Sequence, residues 1–77
     1  GDHATATALY EQALQLYREL GDRLGTANSI IGTARVSVAQ RQYESARSLY
    51  REAGRIYRAL NITSWADHCD KAIRDLG

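Results

Sequence analysis

The chain has no proline and no methionine, a single cysteine and almost no net charge. Without proline, no helix is forcibly broken anywhere along the 77 residues. The single cysteine, Cys69, excludes an intrachain disulfide and suits a reducing compartment, so a cytoplasmic location is expected. No apolar run approaches the ~20 residues that cross a bilayer, and no signal peptide stands at the start, so no membrane role is expected. Ten basic side chains against nine acidic ones leave a formal charge of +1. That balance offers little bulk attraction for nucleic acid. His3 and His68 have no cysteine or second histidine at ligand spacing, so neither a metal nor another cofactor is expected. There is no Ser-His-Asp spacing, no glycine-rich phosphate loop and no isolated carboxylate pair, and the chain does not read as an enzyme. A start at Gly1 in a chain without methionine suggests an excised fragment or a processed product.

What is present is an echo. The stretch Ala6 to Leu20, ATALYEQALQLYREL, returns forty positions later as ARSLYREAGRIYRAL, Ala46 to Leu60. Ala6, Leu9, Tyr10, Ala13, Tyr17, Arg18 and Leu20 recur unchanged as Ala46, Leu49, Tyr50, Ala53, Tyr57, Arg58 and Leu60. Both copies put apolar groups at i, i+3, i+4, i+7 and i+11, one face of a helix. A period of this size signals stacked helical repeats. The chain therefore reads as one all-α domain over 1–77, with four antiparallel helices at about 3–20, 23–40, 43–60 and 64–76.

Asp2 and Asp22 are the expected caps of the first two helices, and Gly21 is the expected left-handed stop between them. The second helix is apolar on two sides. Ala27, Ile30, Ala34 and Ser37 form one face, and Leu24, Ile31 and Val38 form another. Such a helix is either sandwiched or presents a binding surface. Its Gly25 and Gly32 invite close approach by neighbours, while Gly54 in the third helix leaves a gap that Trp65 is expected to fill. Ser64 and Asp67 resemble a capping box for the last helix.

These residues resemble tetratricopeptide repeats: Tyr43, Ala46, Tyr50 and Ala53 stand where that family places its tyrosine, alanine, aromatic and alanine. Thr33 and Ala34 replace the family's leucine-glycine pair, and its proline after the second helix is missing. The forty-residue period and the connector Leu20-Gly21-Asp22-Arg23-Leu24-Gly25 are similar to the family's long-helix variant and to the repeat tails of actinobacterial regulators. The resemblance divides the chain into a half repeat over 3–20, a full repeat over 24–60 and a terminal helix over 64–76. It implies a non-enzymatic module that binds a protein, a peptide or a second copy of itself along a concave groove. Carried onto this chain, the groove falls on Asn28, Ile31, Arg35, Val38 and Ala39. Aligning the last helix thirty-nine positions later, with one residue lost from its connector, adds Asp67, Asp70 and Arg74. Arg35 would fork to a partner carboxylate. Ile31 and Val38 either take an apolar anchor, or bury against a further repeat, or pair two copies as a homodimer. The stripe Arg47, Arg51, Arg55 and Arg58 could grip phosphate, but Glu44 and Glu52 stand three residues before Arg47 and Arg55, so a solvated, ion-paired face is favoured.

Overall fold

Three turns with one hydrogen-bond pattern set the architecture. The computed structural model describes residues 2–77 as α1 (Asp2–Leu20), α2 (Arg23–Ala39), α3 (Tyr43–Ala59) and α4 (Thr63–Asp75), with no strand among the described residues. At each turn a backbone N–H two or three residues past the helix reaches back to a carbonyl in its last turn. Asp22 donates to Tyr17, Gln42 to Ser37 and Ile62 to Tyr57, each at 2.8 Å. The preceding N–H groups, of Gly21, Arg41 and Asn61, donate to Arg18, Val38 and Arg58. This is the paired closure of a helix end through a left-handed residue, and φ is +69°, +60° and +62° at Gly21, Arg41 and Asn61. The stops recur every twenty residues, so two helices make one forty-residue unit.

The helix starts differ more than the stops. Asp22 accepts the Gly25 N–H at 2.8 Å and caps α2 as expected. Asp2 lies inside the first turn of α1 rather than before it. The expected capping box at Ser64 does not form. Asn61 has already turned the chain, Ile62 occupies the cap position without a side-chain bond, and the helix begins at Thr63.

Each helix packs only on its neighbours in sequence, α1 on α2, α2 on α3 and α3 on α4, as in a quasi-linear stack. The core lies along α2 and α3: Ala27, Ile30, Ile31 and Ala34 meet Ala46, Tyr50, Ala53 and Tyr57, with Ala66 and Cys69 of α4 closing it. Small residues set the spacing. A Cβ added at Gly25 or Gly32 would fall under 3.0 Å from the rings of Tyr17 and Tyr10, so both glycines let α1 lay its tyrosines directly on the α2 backbone. The gap at Gly54 is filled by Cys69, whose Cβ would stand 3.4 Å from a Cβ built there, and not by Trp65. Thr26, buried in α2, is satisfied locally by donating to the Asp22 carbonyl at 2.7 Å. Among the described residues no buried side-chain nitrogen or oxygen lacks a partner.

Candidate functional site

Tyr57 connects α2 to α4. Its position on the inner face of α3 buries the ring completely, 0% exposed. Its hydroxyl donates to Oδ1 of Asn28 on α2. Its ring stacks on Trp65 of α4, with centroids 5.9 Å apart and planes 21° apart. His68, one turn further along α4, meets Trp65 edge-on at 5.1 Å and 77°. Arg35, two turns along α2 from Asn28, is exposed, and among the described residues no carboxylate pairs with it. It is close enough to act on the Tyr57 phenol. Burial pushes that phenol above its ordinary value, the Cys69 thiol adds to the rise, and Arg35 opposes it. Cys69 is raised mainly by burial and then by Asp70, against Arg58, so it is a structural thiol rather than an activated one. Tyr57 thus ties two exposed groups of side chains together: Asn28 and Arg35 on α2, and Trp65 and His68 on α4.

The groove expected from sequence is only partly assembled. Asn28, Arg35 and Ala39 share the one exposed strip of α2, with Val38 half-buried beside it. Ile31 is not available: it is 4% exposed and belongs to the core. The reason is that α2 is covered on both sides within this chain, which leaves only a narrow strip open. With Ile31 buried, the expectation that Ile31 and Val38 together join two copies loses its basis.

Asp67, Asp70 and Arg74 also lie elsewhere. The connector bonds repeat at forty residues, Asp22 to Tyr17 and then Ile62 to Tyr57, so no residue is lost before α4. In this register Asn28, Ile31 and Arg35 correspond to His68, Lys71 and Asp75. Asp67, Asp70 and Arg74 correspond instead to Ala27, Ile30 and Ala34, the side that α2 turns to α3. Thr26 and Ser29 are buried, as are Ala66 and Cys69; Ala27 and Ala34 are buried where Asp67 and Arg74 are exposed, because α4 packs on α3 alone. Asp70 is held by an ion pair with Arg58. The residues that sequence reasoning left out of the site are Trp65 and His68, and forty-residue counting from Gly25 and Asn28 would have found them.

The arginine stripe of α3 is divided. Arg58 engages Asp70 and Arg47 donates to the Leu76 carbonyl at 3.4 Å, which leaves Arg51 and Arg55 exposed. Glu52 turns to Arg18 of α1 at 3.2 Å. No group of metal-ligating side chains forms among the described residues, and no described helix is long and apolar enough to cross a membrane.

Stacked helix pairs of constant length, closed by the same turn, define a helical-repeat protein. A family model described as tetratricopeptide repeat matches residues 1–59, and the chain belongs to that family. Neither a curated protein nor a solved structure gives a significant match. The family is generally one of protein–protein interaction modules, typically without enzymatic activity of their own.

Proposed function

We propose that this chain is a non-enzymatic interaction module that holds a peptide or partner helix between the α2 strip and the Trp65 edge of α4. The observation that carries this reading is Tyr57, which joins the two sides by bonding Asn28 and stacking on Trp65. Its burial holds Asn28 and Trp65 at a set separation, so a ligand meets preformed contacts. Arg35 offers a free fork to a carboxylate. Trp65, 42% exposed, offers an apolar face beside it. The preferred ligand therefore carries an acidic group next to a bulky apolar side chain. The connector from Leu20 to Gly25 supports membership of the long-helix variant and a place in the repeat tail of a bacterial, cytoplasmic regulator.

Selection of displayed peptides on the whole chain tests the reading. The peptides recovered should pair a carboxylate with an aromatic or large aliphatic side chain. Arg35→Glu and Trp65→Ala should each weaken them by about tenfold or more, the loss of one charge-assisted or one aromatic contact. Peptides that bind both variants as tightly as the parent would place the ligand elsewhere.

A further inference from the structure

A small cavity opens at the turn between α1 and α2, and three consecutive helices wall it. Tyr17 of α1, Thr26 of α2 and Ile56 of α3 line it, and its volume is about 210 Å³. Thr26 is buried and the other two are half-buried, so these three form its inner surface. The Thr26 hydroxyl is already committed to the Asp22 carbonyl, so this surface offers mainly apolar contact. The exposed residues Arg18, Asp22 and Arg23 line the mouth. Two of them are engaged: Arg18 pairs with Glu52 at 3.2 Å, and Asp22 accepts the Gly25 N–H at 2.8 Å. Among the described residues no carboxylate pairs with Arg23. A guanidinium with free donors therefore stands beside an apolar interior. The second connector does not repeat this set. Forty residues on, Asp22, Arg23 and Thr26 give way to Ile62, Thr63 and Ala66.

We propose that this cavity binds a small organic carboxylate, with one apolar ring or branched chain held between Tyr17 and Ile56 and the carboxylate on Arg23. Size sets the apolar part. An apolar cavity of about 150 Å³ takes a benzene molecule, so the space here suits a single ring with a short substituent. The mouth sets the charge. A cationic guest would meet two guanidiniums, and a neutral one would leave the Arg23 donors to water. A carboxylate accepts from Arg23 through both oxygens. The site is separate from the one tied together by Tyr57, because none of Asn28, Arg35, Trp65 and His68 lines the cavity.

The probe is phenylacetate, titrated into the isotope-labelled whole chain. Its binding should saturate at millimolar concentration, with amide shifts centred on Tyr17, Thr26 and Ile56. The neutral analogue phenylacetamide should bind about fivefold more weakly, the upper end for an exposed ion pair. Acetate, which keeps the charge and lacks the ring, should give no saturable shift at these residues. In an Arg23→Gln protein the acid should weaken by the same factor and the amide should not, since only the acid uses the guanidinium. Arg23 is exposed, so the fold should tolerate that change. Equal binding of acid and amide overturns the proposal, and so does an acid affinity that Arg23→Gln leaves unchanged. Acetate that shifts the same amides reduces the site to a surface charge and overturns it as well. So does the absence of saturable shifts at Tyr17, Thr26 and Ile56. A peptide ending in phenylalanine that fills the cavity when the free acid does not overturns it in favour of a chain terminus.

Discussion

Helices α1 and α3 carry nearly the same face and have different fates. On α3, Ala46, Tyr50, Ala53, Gly54 and Tyr57 are buried; on α1 no residue is fully buried. Seven shared residues at a constant offset exclude composition as the cause. Position is the cause: α3 lies between α2 and α4, whereas α1 has α2 alone. In a stack of this kind the hydrophobic contribution of a residue is set by the number of its neighbours. Identical side chains therefore differ in what they contribute to stability and in what they leave free for partners.

Truncating one tyrosine in each copy gives the largest test of that difference. Tyr57→Ala removes a fully buried ring, its bond to Asn28 and its stack on Trp65. It should destabilise the fold by about 3–5 kcal/mol, the usual range for deleting a buried aromatic. Tyr17→Ala removes the same side chain from a half-buried site and should lose roughly half as much, since less apolar area leaves water there. Urea unfolding followed by circular dichroism reads both. Equal losses would mean that α1 is as enclosed as α3, and the contrast between the copies would fail.

Much of this was legible before any coordinates. Periodicity of 3.6 located all four helices to within about one residue, because each has a continuous apolar face. Gly21 announced its turn. The polar turns at 41–42 and 61–63 were legible too, as breaks between apolar faces, but the left-handed backbone at Arg41 was not, because a left-handed arginine has no sequence signature; the recurring bonds to Ser37 and Tyr57 expose the twenty-residue rhythm. The site was less legible, for a related reason. On a helical wheel, a polar face that lines a groove and a polar face that closes a stack look alike, so Asp67, Asp70 and Arg74 passed for groove residues. Ile31 failed differently. A helix apolar on two sides reads as sandwiched or as binding, and composition alone does not say that both sides are covered from within.

The glycines of α2 sharpen the comparison on the α1 side. Both lie under α1 rings, but the rings differ in exposure and in how far along they are met. At Gly25 an added methyl group would meet Cδ1, Cε1 and Cγ of Tyr17, toward the root of a half-buried ring that has little room to turn. At Gly32 it would meet Cε1, Cζ and Cδ1 of Tyr10, toward the far end of a ring that is already partly in solvent. Gly25→Ala should therefore push α1 away and destabilise by about 1–3 kcal/mol, the range for overpacking. Gly32→Ala should fall close to neutral. Tipping Tyr10 outward is offset by the ~1 kcal/mol that alanine gains over glycine inside a helix. Thermal unfolding of the two variants ranks them, and the reverse ranking would show that Tyr10, not Tyr17, anchors α1.

The smallest expected effect lies at the turns, and it concerns why the two halves of a unit differ although their geometry agrees. The three left-handed positions hold glycine, arginine and asparagine with φ between +60° and +69°. Glycine has no Cβ to crowd the following carbonyl, asparagine tolerates the region, and arginine is strained there. Arg41→Gly should therefore stabilise the fold by about 1 kcal/mol, less the entropy that glycine adds to the unfolded chain. Asn61→Gly should change it by less. Arg41 is exposed, so little packing is lost to obscure the result. The gain should appear as a higher urea midpoint at unchanged slope. If Arg41→Gly proves destabilising, the turn between α2 and α3 is not held by the backbone closure it shares with the other two. An arginine side-chain contact would then be responsible, and the twenty-residue rhythm would be a coincidence of length rather than a common mechanism.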